Sequence, residues 1–134
     1  MKRVGWSWVT AAAVVVSASL ACGEGTTAPV PGTLVVSVTT PNSDDGAMLF
    51  TVEGGGIGKP TAVSSSHVLF FRATGTTSLT AVVVGNIAAG PLLSFEAPDV
   101  GLASSYTTTI TEVAARDNAL RPSLSGYTLS VSRQ

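Results

Sequence analysis

The chain has 134 residues, with seven Lys and Arg against eight Asp and Glu, one histidine and one cysteine. No basic cluster occurs in it, which argues against a nucleic-acid partner, because phosphate binding relies on concentrated Lys and Arg. One cysteine and one histidine leave no soft-ligand zinc set within a single chain. Catalysis built on histidine is confined to His67.

The chain begins with two positive charges, Lys2 and Arg3, followed by 13 uncharged residues from Val9 to Ala21. A membrane-spanning helix needs about 20 apolar residues, so this run is too short to span. Basic start, apolar middle and small residues (Ala18, Ser19, Ala21) before a cut are the layout of a secretory signal peptide. An ordinary secretory peptide, cleaved without lipid, is one reading. The other rests on Ser19-Leu20-Ala21-Cys22, which resembles the lipobox of bacterial lipoproteins, with Ser19 standing where that family usually has Leu. The resemblance implies that Cys22 becomes the lipid-modified first residue of the mature chain and that residues 1–21, with Trp6 and Trp8, are removed. Lipidation also accounts for a lone cysteine, which in a secreted protein otherwise needs a special explanation. The membrane partner is then reached through the acyl chains on Cys22. Enteric lipoproteins held in the inner membrane tend to carry Asp after the cysteine; Gly23 therefore favours the outer membrane. Without Lys2 and Arg3, five basic residues face eight acidic ones, a net charge of −3. Such a domain has little electrostatic attraction to an anionic bilayer, so attachment rests on the lipid.

Residues 23–33, GEGTTAPVPGT, have no apolar periodicity and read as a flexible tether. Fully extended, they reach roughly 35 Å. From Leu34 to the end, residues 34–134, the text changes to short Val, Leu, Ile, Thr and Phe runs punctuated by Gly, Pro, Asn, Asp and Ser, the marks of strands and turns. Leu34, Val36 and Val38 form the apolar set of a first strand. Pro41 to Gly46 reads as a turn. Met48, Phe50 and Val52 are the inward set of a second strand, with Thr51 and Glu53 opposite. Val68–Ala73 is another, placing Val68 and Phe70 on one face and Leu69 and Phe71 on the other. The run Leu79–Val84 is apolar enough to be buried on both sides. Leu93, Phe95 and Ala97 point inward from the next strand, and Tyr106–Val113 and Tyr127–Val131 complete the series.

Glu112 and Arg116 stand at helical i,i+4 spacing, but the Thr-rich half before them forms helix poorly. A strand to about Val113 followed by a loop is expected. Seven or eight strands at roughly 12-residue spacing predict an all-β fold, an antiparallel sandwich. Leu34–Thr39, then Gly46-Ala47-Met48-Leu49-Phe50-Thr51-Val52, then Gly90-Pro91-Leu92-Leu93-Ser94-Phe95 resemble the strand order of cohesin-like and carbohydrate-module sandwiches of bacterial surface proteins. The resemblance implies an Ig-like or cohesin-like sandwich that binds a protein or carbohydrate partner.

Little chemistry is encoded. His67, behind Ser64-Ser65-Ser66, reads as a half-exposed loop residue, and no Gly-x-Ser-x-Gly elbow is present. Asp44, Asp45, Asp99 and Asp117-Asn118 offer oxygen ligands for calcium, but without Asp-x-Asp-x-Asp-Gly spacing, and turns favour Asp and Asn in any case. Glu53, Glu96 and Glu112 could supply a glycosidase pair, yet the mature chain has no Trp platform. Gly54-Gly55-Gly56-Ile57-Gly58 precedes no helix and reads as a flexible hairpin connection. No cofactor is expected, and the chain reads as non-catalytic. If Phe70 is buried, Leu69 and Phe71 form a candidate binding surface, the alternative being a strand covered on both faces. The expected function is a lipid-anchored envelope protein, with its domain in the periplasm or at the cell surface, binding a protein or glycan. The alternative is a structural subunit of an envelope assembly. An exposed apolar patch would mark the first, a long unpaired edge strand the second.

Overall fold

The computed structural model describes residues 27–134; the leader, Cys22 and the start of the tether lie outside the described residues. Alternation of apolar and polar residues sets the architecture. In β1 (Gly32–Thr39) Leu34, Val36 and Val38 are buried, and in β2 (Asp45–Glu53) Met48, Phe50 and Val52 are. β3 (Thr61–Ala62) is a two-residue strand, followed by β4 (Val68–Thr74), β5 (Ser78–Ile87) and β6 (Gly90–Ala97). A 3-10 helix (Val100–Ser105) leads into β7 (Thr107–Ala115), and β8 (Thr128–Arg133) ends the fold. One sheet has the order β3-β6-β1-β8 and the other β4-β5-β2-β7, with antiparallel pairing throughout. The described residues therefore form an eight-stranded antiparallel β-sandwich, as the residue pattern predicts. No helix among the described residues is long and apolar enough to cross a membrane.

Side chains with a period of two from each strand meet between the sheets, where Leu34, Phe50, Val83, Leu93 and Phe95 lie within one buried cluster. A bulge adds to it. Val36 pairs with Leu93 but Ser37 with Pro91, so Leu92 is the extra residue, and both Leu92 and Leu93 point inward.

Several expectations need correction. β5 is not buried on both sides: Leu79, Ala81 and Val83 face the core, whereas Val82 is half-buried and Val84 exposed on the outside. The glycine-rich stretch after β2 is a crossover rather than a hairpin, because β2 pairs with β5 and β7 while β3 pairs with β6 in the other sheet. It is pinned as well: the Tyr106 hydroxyl donates to the Gly56 carbonyl at 2.6 Å, and a β-carbon at Gly54 would overlap the Tyr106 ring. The strand expected to about Val113 is found, β7 ending at Ala115, and Arg116 just beyond it donates to the Ser43 carbonyl. Regular structure also begins before Leu34, with β1 starting at Gly32. Val30 donates its N–H to Asp99, and its carbonyl accepts from Val100 at 2.8 Å. Asp99 caps the 3-10 helix through the Gly101 N–H at 2.8 Å.

The turn expected at Pro41–Gly46 hides the main polar feature. Asp45 and Met48 are three residues apart, yet both point inward, because a register shift at Gly46 reverses the alternation. Glycine is needed there, since a β-carbon would lie 2.8 Å from the Arg116 Cα. The bulge carries the Asp45 carboxylate, 0% exposed, into the sandwich. There its Oδ1 accepts from the Tyr127 hydroxyl (2.8 Å) and from Arg121 Nε (2.9 Å) and Nη2 (2.8 Å), and Oδ2 accepts from the Thr40 hydroxyl. Asn42 Nδ2 donates to the Tyr127 oxygen at 2.6 Å, and Arg121 also grips Asp44. Burial alone would raise the Asp45 pKa. The bonds from Thr40, Tyr127 and Arg121, with the guanidinium charge, outweigh it and hold the carboxyl below its ordinary range. Arg121 is held further into its charged form, first by its bonds to Asp44 and Asp45.

Candidate binding face

The two sheets present opposite chemistry outward. On the β3-β6-β1-β8 sheet the cross-strand row Thr61–Ser94–Val35–Ser132 is mostly hydroxyl, as is the neighbouring pair Ser37–Ser130. On the β4-β5-β2-β7 sheet the outer rows are apolar. Register places Val68, Val84, Ala47 and Ala114 side by side in one row, and Phe70, Val82, Leu49 and Glu112 in the next. A third row, Arg72–Thr80–Thr51–Thr109, closes the patch with polar side chains. Strand pairing therefore gathers residues scattered over more than sixty positions of sequence into one surface.

Val68 is 54% exposed and Phe70 61%. Leu120, 63% exposed, extends the patch past β7, where it forms a single bridge to Ala114. Between these residues lies a shallow groove of about 240 Å³, lined by Ala47, Leu49, Val82, Glu112, Ala114 and Leu120. A second of about 260 Å³ adjoins it at Phe70, Phe71, Arg72, Thr80 and Val82. Contiguous apolar surface of this kind marks interaction sites on soluble domains. No known family, curated protein or solved structure matches this chain.

Of the two surface residues read from sequence, Leu69 packs against the core and Phe71, on the same side of β4, keeps 44% of its surface exposed at the open edge of the sandwich. The premise that Phe70 is buried is reversed. Phe70 faces outward with Val68, so the apolar face is carried by those two with Val82, Val84, Leu49 and Leu120, and Phe71 meets it only at its rim. Pure alternation defines two faces but does not say which is inside; only Leu69's packing against the core between the sheets decides it.

The remaining candidates do not converge. His67 Nε2 lies 3.1 Å from the Asn86 carbonyl oxygen, and its buried Nδ1 has no hydrogen-bond partner among the described residues. Glu53 and Glu112 stand on the second sheet and Glu96 on the first. Asp44 and Asp45 are engaged by Arg121, Asp99 by Val30 and Gly101, and Asp117 by the Ala119 N–H. Cys22 lies outside the described residues.

Proposed function

We propose that this chain is a lipid-anchored, non-catalytic protein of the bacterial cell envelope whose sandwich binds a protein partner through the outer face of the β4-β5-β2-β7 sheet. The observation that carries the binding half is the pair of apolar rows centred on Phe70, Val82 and Leu49, left uncovered in a domain whose other outer face is hydroxylated. Favourable contact follows from area: each Å² of apolar surface removed from water contributes about 25 cal/mol. A protein surface suits this face better than a glycan, because the hydroxyl groups of a sugar would find few partners along Val68, Phe70, Val82 and Val84. The anchoring half is supported by the basic, apolar and small-residue order of the leader ending at Cys22, and Gly23 favours the outer membrane.

Two measurements test the reading. Mass spectrometry of the mature protein is expected to show an acylated Cys22, and Cys22→Ser is expected to move the protein into the soluble fraction. An unmodified cysteine overturns anchoring. For binding, envelope proteins captured by the wild-type chain are compared with those captured by a Phe70→Ser, Val82→Thr variant of unchanged fold. Loss of a stoichiometric protein by at least tenfold is expected; equal capture, or binding to a glycan array that survives the double substitution, overturns this face as the site.

The alternative, a structural subunit of an envelope assembly, is favoured by one specific observation: β4 is an open edge.

A further inference from the structure

A sandwich of two four-stranded sheets has four edges, and three of them carry the usual protections against pairing. β3 is only two residues long and follows Pro60. β8 alternates hydroxyl residues outward and ends at Arg133, whose Nε donates to the Val100 carbonyl of the 3-10 helix. β7 is bulged at Thr111, and the returning chain occupies its last turn of ladder: Arg121 N–H donates to Val113 and Ala115 N–H to Ala119.

β4 has a single charge, Arg72, and none of the other devices. Its sequence, VLFFRAT, contains no Pro, Gly or Lys, and its pairing with β5 runs from Val68↔Val84 to Thr74↔Ser78 without a shift. Six of its seven residues are exposed. Among the described residues, no hydrogen bond beyond the β5 ladder involves any residue from Val68 to Thr74. An edge strand of this length presents a row of free N–H and C=O groups.

We propose that β4 pairs with β4 of a second copy of this chain, antiparallel about a two-fold axis through Phe71, joining the two β4-β5-β2-β7 sheets into one of eight strands. The occupant follows from the strand's own charge pattern. Phe71 is the midpoint of Val68–Thr74, so an axis there lets all seven residues pair. That register sets Arg72, the only charge on β4, opposite Phe70 of the second copy, twice by symmetry. Both side chains lie on the outer face, where a guanidinium over an aromatic ring is attracted to it. Phe71 meets its own copy on the other side, an aromatic cross-strand pair. An axis at Arg72 would instead oppose two like charges, and an axis at Phe70 would leave Ala73 and Thr74 unpaired. Self-pairing about a two-fold axis is isologous and closed, so it stops at a dimer rather than running on into a fibre. The inference does not rest on the binding reading. It uses the backbone edge of the sheet and shares only Phe70 with the face, and it places the two apolar faces side by side on one continuous surface.

A seven-residue strand pair is a smaller interface than the roughly 800 Å² per partner of a standard stable complex, so the dimer is expected to dissociate on dilution. Sedimentation of the full chain carrying Cys22→Ser, in mild detergent, is expected to show a monomer–dimer equilibrium with a dissociation constant on the order of micromolar to tens of micromolar. Phe71→Lys, a charge of the kind that natural edges use, is expected to weaken it at least tenfold, whereas Val82→Thr, on β5 and away from the edge, leaves the dimer unchanged. In the same Cys22→Ser chain, Phe71→Cys is expected to form a disulfide-linked dimer on mild oxidation, far faster than Thr109→Cys on the opposite edge. A monomer at hundreds of micromolar, a dimer insensitive to Phe71→Lys, or equal cross-linking at both positions overturns the proposal. A monomer that instead takes up a foreign extended peptide along β4 overturns self-pairing as well.

Discussion

Replacing Asp45 with Ala is expected to remove about 3–5 kcal/mol of unfolding free energy, the largest loss at any polar position of the chain. The carboxylate is fully buried and accepts from Thr40, Tyr127 and twice from Arg121. Truncation deletes all four bonds at once and strands the Tyr127 hydroxyl, whose ring is itself buried, beside an unfilled space. Folded domains of this size hold only about 5–15 kcal/mol in total, so the variant lies near the edge of folding. Asp45→Asn keeps one accepting oxygen but puts an NH₂ group against Thr40 or Arg121, and is expected to fall between wild type and Ala.

The same site fixes the acid behaviour. Asp45 has its folded pKa held below the ordinary 3.8, so the folded state binds its proton less readily than the unfolded chain does. The contribution is therefore fully present above that ordinary value and is lost as pH falls through it toward the folded pKa. Denaturant unfolding of the wild type at pH 7 and pH 3 is expected to show stability beginning to fall in acid. Asp45→Ala, which lacks this carboxyl, should lose less over the same interval. Equal acid sensitivity of the two proteins would show that other carboxylates set the limb.

How much of this was readable beforehand depended on what the residue pattern encodes. Leu34, Val36, Val38, Met48, Phe50, Val52, Leu93 and Phe95 stand at a period of two in uninterrupted strands, so composition and spacing predicted both the elements and their inward set. Asp45 could not be found that way. Asp44-Asp45-Gly46 carries the composition of a turn, and it is the Gly46 bulge, a relation between three strands, that turns the carboxylate inward. Arg121 and Tyr127, its partners, lie more than seventy residues away, with no local signal joining them to it. The apolar face was half visible for a different reason. β4 is apolar on both sides, so alternation named Leu69 and Phe71 or Val68 and Phe70 with equal force, and Val82 and Val84 looked like core because edge and centre have the same composition. Which side meets water is settled by the second sheet, which covers one face of β5 only. The missing signal is tertiary.

The second large effect is expected at Phe95, where Phe95→Ala should lower stability by about 3–5 kcal/mol. Phe95 is 1% exposed and stands opposite Leu34 in the β1–β6 pairing, at the middle of its sheet. Its ring centroid lies 5.5 Å from that of Tyr106 with the planes tilted by 50°, within the separation at which aromatic rings attract one another. Tyr106 in turn holds the crossover, its hydroxyl on the Gly56 carbonyl and its ring filling the space that Gly54 leaves open. Gly58 completes the arrangement, donating its N–H to the Glu96 carbonyl beside Phe95 at 2.8 Å. Removing the Phe95 ring therefore leaves a cavity that neither sheet can close without moving the Gly54–Gly58 segment. The loss should appear in two ways: a lower denaturation midpoint with an unchanged slope, and faster hydrogen exchange at Gly58 than at the β2–β5 ladder. Phe70→Ala, removing the same ring from the open face, is the informative comparison. With most of its surface already in water, it should change stability by no more than about 0.5 kcal/mol. If the two substitutions were equally harmful, Phe70 would have to be packed rather than free, and the apolar face would be part of the core instead of a surface left for a partner.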